Sequence, residues 1–402
     1  MRAAAGSATI LFIMRRNVTG MDELDFGGVS IPCFPASLPP PFFATLRAMM
    51  KIIASVFLTL AFAVSAFAQQ PKSLFYMTRD PNSVRSFLGH ADKIDILVPA
   101  WYTVDATGLV SGGPNPLVMQ TAREHHVPVM PIVAGASFVQ ADVHKLIATP
   151  EEWPVVISQL IAACDENSYT GFQFDFENVN WTDQQAFSKM VSTVADAFHA
   201  HHLQISIATV PNAPGHAGET GFDAWLYENW QGVYDLKALA QSVDFICLMT
   251  YDEHTRWTPP GPVAGWGWTV DNLDYALKSV PANKLYLGIP LYGYHWFAGT
   301  PLKPTPAHPV EQPNPSAEYI STPDALDLAR AYSGKIEWDA VDRSPWFYFY
   351  RDHMREWIFY TDARAFRERY DLTKQRGLAG FCSWVLGTED PGIWAALPSH
   401  AQ

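Results

Sequence analysis

The sequence predicts an α/β fold of the (β/α)8 TIM-barrel class, with a small α+β insertion between the seventh and eighth strands. Three observations carry this prediction. From Pro71 onward, short apolar runs alternate with helical patterns, which is typical of a parallel sheet covered by helices. Eight such runs occur, the number that a closed barrel needs. The chain of 402 residues is long enough for one barrel of about 250 residues and an insertion.

The predicted strands lie at residues 74–78, 94–100, 127–133, 171–177, 204–209, 245–251, 285–291 and 378–385. Helical patterns fall between them, for example at residues 154–164, 184–199 and 270–279. No internal repeat or Ser/Gly linker interrupts this part of the chain. We therefore expect one barrel domain over residues 71–402.

The interval between the seventh and eighth predicted strands, at about residues 296–370, is too long for a simple loop. It opens with a proline-rich stretch at 301–315, followed by a helical pattern at 322–332. Strand-like segments come next, at residues 335–339, 346–351 and 356–361. This order predicts the α+β insertion.

The N-terminal part carries a secretory pattern at an internal position. A basic start at residues 49–51 precedes an apolar run at 52–63, and an Ala-x-Ala site ends at Ala68. The run is shorter than the roughly 20 apolar residues that a membrane-spanning helix needs. We therefore interpret residues 49–68 as a signal peptide and residues 1–48 as an upstream leader produced by a misassigned start. The alternative is a real N-terminal extension with an internal anchor.

The composition of the chain limits the classes of partner that it is expected to bind. There are 27 Lys and Arg residues against 40 Asp and Glu residues, and the resulting net charge of −13 argues against nucleic acid or an anionic membrane as partner. Aromatic residues make up 13% of the chain, which fits either stacking on sugar faces or a large aromatic core. The histidines lack metal-ligand spacing, and no Gly-rich phosphate loop occurs, so we predict no metal and no cofactor. We expect a monomer.

One strand carries candidate catalytic groups. Between residues 172 and 177 an aromatic residue alternates with a hydrogen-bonding one, which is the two-residue period of a β-strand. The three phenylalanines share one face, and the amide and two acids share the other: Gln173, Asp175 and Glu177. Carboxylates are rarely buried unpaired, so this face predicts a site at the carboxyl end of a barrel strand. An edge strand with a solvated polar face fits the pattern too.

The string Thr-Gly-Phe-Gln-Phe-Asp-Phe-Glu at 170–177 resembles the motif Asp-Gly-x-Asp-x-Asp-x-Glu of the family 18 glycoside hydrolases, the chitinases and their relatives. Gly171, Asp175 and Glu177 match this motif, whereas Thr170 and Gln173 stand where the family usually has aspartates. The continuation Phe-Glu-Asn-Val looks most like the bacterial branch that acts on spore-cortex peptidoglycan. In that branch an amide often occupies the position of Gln173.

Further landmarks follow in the order that the family shows. Met249-Thr250-Tyr251-Asp252 is similar to its Met-x-Tyr-Asp on the sixth strand. Residues 288–293 resemble its Gly-x-Pro-x-Tyr-Gly on the seventh, and Trp384 stands where the family has a tryptophan on the eighth. Residues 386–390 resemble the peptidoglycan-active branch again, but the third strand matches only loosely. The resemblance covers nearly all of residues 74–394.

The resemblance implies a mechanism. In family 18 the acetamido oxygen of the substrate attacks its own anomeric carbon, in place of a second carboxylate. Glu177 is then the general acid, Asp175 orients the acetamido group, and Tyr251 hydrogen-bonds its oxygen. The remaining residues of the matched motifs are expected at the substrate, with Trp384 beneath the cleaved sugar: Gln173, Met249, Asp252, Tyr292 and Trp384. We also expect Gln173 to donate an N–H to Asp175 and keep it ionised, or else to be a polar filler of the barrel interior.

Two function classes stay open from the sequence. The first is a secreted, periplasmic or cell-envelope hydrolase of β-1,4-linked N-acetylglucosamine polymers, either chitin oligomers or peptidoglycan. The second is a non-catalytic, lectin-like barrel that binds chitin or peptidoglycan. The presence of Glu177, Asp175 and Tyr251 together favours the hydrolase.

Overall fold

The structure is a computed structural model that describes residues 70–297 and 317–399, together with the backbone of three short strands near the N-terminus. These strands are β1 (Arg15–Arg16), β2 (Asp22–Phe26) and β3 (Val29–Pro32), and they pair antiparallel in the order β1–β2–β3 within the unit Met1–Gln69. The predicted signal peptide at 49–68 and the proline-rich stretch at 301–315 lie outside the described residues.

The second unit, Gln70–Gln402, contains a closed parallel barrel. Each barrel strand pairs in parallel with the next, and the last pairs with the first. The eight strands are β4 (Lys72–Met77), β5 (Ile96–Val104), β7 (Ile132–Gly135), β8 (Gly171–Asp175), β9 (Gln204–Thr209), β10 (Phe245–Leu248), β11 (Leu285–Pro290) and β17 (Gly380–Trp384). A short strand, β6 (Val110–Gly112), extends β5 as an antiparallel hairpin. The predicted fold class is confirmed.

Helices separate the barrel strands, as a parallel sheet requires. They are α1 (Pro81–His90), α2 (Pro116–Glu124), α3 (Gln140–Ile147), α4 (Trp153–Asn167), α5 (Gln184–Ala200), α6 (Gly221–Leu226), α7 (Leu236–Ser242), α8 (Trp266–Ala276), α9 (Thr322–Ala331) and α10 (Ala363–Gln375). Several start at a side chain that accepts backbone N–H groups, such as Asp80, Asn115 and Asp362. Among the residues that the structure describes, no helix is both long and apolar enough to cross a membrane.

The core lies between the barrel and its helices, and β8 shows how the sequence places it. Phe172, Phe174 and Phe176 are buried there, in one cluster with side chains of α4 and α5. Gln173, which alternates with them, is buried inside the barrel. The two-residue period therefore assigns both faces of this strand as the sequence predicts.

Most barrel strands differ from their predicted bounds by a few residues, and in two of them the pattern of backbone hydrogen bonds gives the reason. The third begins at Ile132 rather than 127, because Pro128 and Pro131 lack an N–H and leave only an isolated bridge at Val129. The fourth ends at Asp175 rather than 177, because the carbonyl of Phe176 accepts the hydroxyl of Tyr234 at 2.8 Å.

The predicted insertion forms a five-stranded antiparallel sheet in the order β13–β12–β16–β15–β14, with α9 packed on one face. Its strands are β12 (Tyr292–Trp296), β13 (Ala317–Ser321), β14 (Glu337–Asp339), β15 (Ser344–Arg351) and β16 (Met354–Phe359). The sheet thus begins at Tyr292, not at 296, and ends before α10. The sequence hides this start because the apolar and aromatic run continues unbroken from β11 into β12.

Candidate active site

The acids of the β8 motif lie where the strand ends and the chain bends. Asp175 is the last strand residue, and Glu177 follows in a bend that is held on both sides. On one side the hydroxyl of Tyr234 donates to the Phe176 carbonyl at 2.8 Å. On the other, Asn178 has a left-handed backbone (φ 53°), and its amide donates to the Phe138 carbonyl at 2.7 Å. The position of Glu177 is therefore set by contacts to two other loops.

Both acids of the motif hold protons more tightly than ordinary carboxyl groups. Burial raises the pKa of Asp175 to about 6. Burial also raises the pKa of Glu177 to about 8, and the negative charges of Asp175 and Asp252 add to that rise. Glu177 is thus expected to carry a proton at neutral pH while Asp175 is mostly ionised. This difference is what a general acid and an electrostatic partner require.

Tyr251 and Asp252 follow β10 at the same mouth of the barrel. The buried Tyr251 has its pKa raised well above the usual range, first by burial and then by Cys382 and the nearby acids, so it stays a neutral hydroxyl donor. Asp252 has a left-handed backbone (φ 64°) and accepts the Tyr292 hydroxyl at 2.5 Å and the Tyr294 hydroxyl at 3.3 Å. Removal from water raises the pKa of Asp252, and these two hydrogen bonds oppose the rise.

Gln173 lies beneath Asp175 inside the barrel and is fully buried. Its amide nitrogen donates to the Ser206 hydroxyl at 3.0 Å and contacts the Cys247 sulfur at 3.2 Å. The prediction that it donates to Asp175 is therefore wrong: the amide points to β9 and β10 instead. One oxygen of Asp175 and the side-chain carbonyl oxygen of Gln173 are buried without a hydrogen-bond partner among the described residues.

Two residues that the sequence places at the substrate have almost no exposed surface: Gln173 at 0% and Tyr292 at 1%. The Tyr292 ring is covered by Tyr319, with ring centroids 4.4 Å apart. In this conformation Gln173 and Tyr292 support the site from behind, because a substrate has almost no surface of theirs to contact. Met249 keeps a small exposed part, at 7%, and its contact with the substrate stays a prediction. Tyr292 acts through its hydrogen bond to Asp252.

Trp384 ends β17 at the same mouth and is only partly buried. Its ring lies 5.5 Å from the Tyr76 ring at an angle of 54°, and its carbonyl accepts the Leu291 N–H at 2.7 Å. The structure thus brings Asp175, Glu177, Tyr251, Asp252 and Trp384 to the carboxyl ends of three barrel strands: β8, β10 and β17. That Trp384 forms the floor beneath a bound sugar stays a prediction.

Sequence reasoning missed three tyrosines near the acids. Tyr294 repeats the Tyr292 contact to Asp252 and could have been found from the two-residue period of β12. Tyr76 lies on β4, and burial is the main reason that its pKa is raised. Two neighbouring cysteines and the charge of Asp175 raise its pKa further. Tyr234 reaches Phe176 from a loop 58 residues away, and no local signal marks it.

Within residues 70–297 and 317–399, no group of three or more His, Cys, Asp or Glu side chains is arranged to hold a metal ion.

A closed parallel barrel with two partly buried acids of unequal pKa at the carboxyl end of one strand is typical of barrel hydrolases. A family model described as "Glycosyl hydrolases family 18" matches residues 68–389. The chain belongs to this family of glycoside hydrolases.

Relatives of the chain include bacterial glycosylases. The protein named "Uncharacterized glycosylase YvbX" of Bacillus subtilis is 29% identical over 327 residues, which cover 80% of this chain and 89% of the relative. The "Cortical fragment-lytic enzyme" of Bacillus subtilis is 29% identical over 243 residues, covering 60% of this chain and 52% of the relative. The chain thus spans about half the length of that enzyme.

Solved structures share the fold. The Bacillus megaterium spore cortex-lytic enzyme SleL matches with a TM-score of 0.69 at 23% identity, over 81% of this chain and 73% of that one. A chitinase from Chromobacterium violaceum matches with a TM-score of 0.70 at 24% identity, over 81% of this chain and 97% of that one. At these identities the likeness shows the fold alone.

Proposed function

We propose that this protein is a retaining glycoside hydrolase that cleaves β-1,4-linked glycans containing N-acetylglucosamine by substrate-assisted catalysis. The observation that carries the proposal is the pair Asp175 and Glu177 at the barrel mouth, where burial and charge leave Glu177 protonated at neutral pH. Family membership supports the reaction class. The relatives include a cortical fragment-lytic enzyme and, at 24% identity, a mouse chitotriosidase, which supports the substrate class.

In the first step, Glu177 donates its proton to the glycosidic oxygen as the bond to the anomeric carbon breaks. The carbonyl oxygen of the 2-acetamido group forms a new bond to that carbon and gives a cyclic oxazolinium ion. The ion carries positive charge, and the ionised Asp175 stabilises it while accepting the acetamido N–H. Tyr251, held neutral by burial, donates its hydroxyl to the attacking oxygen.

In the second step, the Glu177 carboxylate removes a proton from water, and the water oxygen attacks the anomeric carbon. The bond to the acetamido oxygen breaks, the N-acetyl group is restored, and Glu177 regains its proton. Two displacements at one carbon retain its configuration. Asp252 contributes negative charge that keeps the pKa of Glu177 high, and Trp384 provides an apolar floor for the sugar ring.

The proposed cellular location is based on the sequence pattern near the N-terminus. We propose that translation starts at Met49 or Met50 and that residues 49–68 direct export to the periplasm, the cell envelope or the medium. The mature chain should then begin at Gln69, and deletion of residues 1–48 should leave export and activity unchanged. N-terminal sequencing of the native protein checks this. Peptides from residues 1–48 in the native protein would contradict it.

The substrate class is tested with soluble oligomers that differ only in acetylation. The wild type should cleave a chromogenic N-acetylated chitobioside but should not cleave its fully deacetylated counterpart or a cellobioside, because only the acetamido group supplies the nucleophile. A thiazoline mimic of the cyclic intermediate should inhibit well below the substrate concentration needed for turnover. Efficient cleavage of an unacetylated glucan would overturn substrate assistance. Binding to chitin or peptidoglycan without any turnover would favour the lectin-like alternative.

A further inference from the structure

A buried arginine outside the candidate active site has no part in the chemistry described above. Arg369 is on α10, and only 2% of its surface is exposed. Burial lowers the pKa of its guanidinium to about 10, which leaves the group charged at neutral pH. A buried charge is costly unless polar groups surround it, so the contacts of Arg369 indicate what this residue holds in place.

The guanidinium of Arg369 joins three segments through their backbone carbonyl groups. Its Nη2 donates to the Ala264 carbonyl, in the loop between β10 and α8, and to the Asp342 carbonyl at 3.4 Å. Its Nη1 donates to the Arg343 carbonyl at 3.2 Å and to the Ala365 carbonyl at 3.0 Å. Asp342 and Arg343 lie in the turn between β14 and β15 of the insertion, and Ala365 is on α10 itself. The fixed fork of guanidinium donors suits these contacts better than a lysine ammonium group would.

The loop between β10 and α8 is closed at its base by Glu253. The Glu253 N–H donates to the Val263 carbonyl at 3.0 Å. The Glu253 carboxylate accepts the Gly265 N–H at 2.5 Å. Arg369 binds the carbonyl of Ala264, the residue between these two contacts. We call Glu253 and Arg369 the loop clamp, because together they hold three consecutive residues at the end of the loop.

Gly265 is required for the close approach of the Glu253 carboxylate. A Cβ atom added to Gly265 would lie 2.6 Å from a carboxylate oxygen of Glu253. The φ of Gly265 is −60°, which any residue can adopt, so this glycine serves the contact and not an unusual backbone conformation. Burial raises the pKa of Glu253, and the Gly265 N–H, His254 and Arg369 oppose that rise while Asp342 adds to it. The Glu253 carboxylate is thus held at the backbone of Gly265.

The loop clamp directly follows Asp252 in the chain. Asp252 has a left-handed backbone (φ 64°), which a residue with a side chain keeps only where its surroundings impose it. Hydrogen bonds from Tyr292 and Tyr294 direct its carboxylate from the side of the insertion. Glu253 fixes the chain on the other side, because both its N–H and its carboxylate are bound. The negative charge that acts on Glu177 is therefore held from two directions.

We propose that Glu253 and Arg369 are positioning residues for the hydrolysis, and that they hold the base of the loop so that the Asp252 carboxylate stays beside Glu177. The proposal rests on the proposed function for the reaction itself. The placement of Asp252, however, is measurable without turnover, through the effect of its charge on Glu177.

The first measurement is a 13C NMR titration of the full chain labelled at its glutamate carboxyl carbons, with Glu177→Gln to assign the signal of Glu177. Glu253→Ala should lower the pKa of Glu177 by about 0.5, because the Asp252 charge moves away. Gly265→Ala should do the same, since its methyl group displaces the Glu253 carboxylate. Glu253→Gln keeps an acceptor for the Gly265 N–H and should leave this pKa unchanged. Glu228→Ala, at an exposed glutamate after α6, is the matched control.

The second measurement is kcat/KM against pH on a soluble N-acetylated chitobioside. Glu253→Ala should move the basic limb to lower pH and reduce kcat/KM about three-fold above pH 8, whereas Glu253→Gln should superimpose on the wild type. Arg369→Lys should move the limb in the same direction. Its effect and that of Glu253→Ala should be less than additive, because both act on one loop base. Arg367→Met, at an exposed position of α10, is the control for the helix.

Thermal melts check that each variant is folded, and the Glu253 and Gly265 variants decide the proposal if Arg369→Lys does not fold. Lower melting temperatures of Glu253→Ala and Gly265→Ala with an unchanged pKa of Glu177 and superimposable basic limbs would show a purely structural clamp. That result would overturn the proposal. A wild type that cleaves no oligomer would contradict the proposed function, while the NMR titration would still decide whether the loop clamp positions Asp252.

Discussion

Polar groups at the barrel mouth and in the insertion sheet differ in whether they have hydrogen-bond partners. Inside the barrel, one oxygen of Asp175 and the side-chain carbonyl oxygen of Gln173 are buried without a hydrogen-bond partner among the described residues. In the insertion, the hydroxyls of Tyr292 and Tyr294 both donate to one acceptor, Asp252. The barrel therefore raises the pKa of Asp175 and Glu177 through burial, and hydrogen bonds from the insertion oppose the corresponding rise at Asp252.

Both regions contribute to the raised pKa of Glu177. The barrel creates a protonated acid at neutral pH, because burial disfavours the charged form of Glu177. The insertion keeps a negative charge beside it, because its two tyrosines favour the charged form of Asp252. That charge in turn raises the pKa of Glu177. The pKa of Glu177 thus depends in part on a pair of hydroxyl groups from outside the barrel.

The largest effect is expected at the barrel acid. Glu177→Gln should lower the kcat for a soluble N-acetylated oligomer by at least about 100-fold, because the proton donor is lost while the shape and hydrogen-bonding capacity remain. Oligosaccharide binding, measured by calorimetry, should stay within a few-fold. Glu124→Gln, at the end of α2, is the matched control and should be fully active. Activity of Glu177→Gln within ten-fold of wild type would contradict the assignment.

The dependence on the insertion is tested by removing its two hydroxyls. Tyr292→Phe/Tyr294→Phe should raise the pKa of Asp252, because both hydrogen bonds favour its charged form. The weaker negative charge should then lower the pKa of Glu177, and the basic limb of kcat/KM should move to lower pH. We expect kcat/KM to fall several-fold near pH 8 and less at neutral pH, because Asp252 is the smaller of the two charges that raise the pKa of Glu177. Tyr350→Phe, on the same sheet but far from Asp252, is the control. If the basic limbs of the double variant and the wild type superimpose, the insertion does not affect the pKa of Glu177.

A smaller effect is expected at the bend that holds Glu177. Tyr234→Phe removes the donor to the Phe176 carbonyl and leaves a buried acceptor unpaired, at a cost of about 1–3 kcal/mol. The bend should loosen, so that kcat falls several-fold while KM changes little. A purely structural role would lower the melting temperature and leave kcat of the folded enzyme unchanged, and that result would contradict the positioning role.

The smallest effect concerns stability. Because the folded state raises the pKa of Glu177 above its unfolded value, the protonated form is favoured in the folded protein. This contribution to stability is fully present below the unfolded pKa, declines as pH rises toward about 8, and is lost above that value. Glu177→Gln has no such proton to lose, so above this pH it should melt a few degrees higher than wild type. Equal melting temperatures across the pH range would mean that Glu177 is not buried as described.

The sequence was sufficient for the barrel and for the acids, because both depend on local patterns. The alternation at β8 assigns Phe174 to the core and Asp175 to the interior without knowledge of any other strand. The direction of the Gln173 amide could not be predicted in this way. It depends on Ser206 and Cys247, which lie 33 and 74 residues away.

Dependence on distant residues also explains why the sequence did not reveal the contact of Tyr234 or the start of the insertion sheet. Tyr234 acts across 58 residues, and nothing in its own neighbourhood distinguishes it from a loop tyrosine. The start of the insertion sheet at Tyr292 follows from a change of partner strand, from β17 to β13 and β16, and a change of partner leaves no trace in an apolar run. Tyr292 is therefore conspicuous in the sequence, but its role behind Asp252 appears only when the sheet is formed.

The pH dependence of kcat/KM on a soluble N-acetylated chitobioside tests the central claim most directly. Glu177 must be protonated to donate, so activity should fall as pH rises through about 8. Asp175 must be ionised to stabilise the oxazolinium ion, so activity should also fall as pH drops through about 6. The account predicts a bell-shaped profile with its maximum between these values, and Glu177→Gln should retain no basic limb. Activity that continues to rise above pH 8 would show that the acid is not Glu177 in the protonated state described.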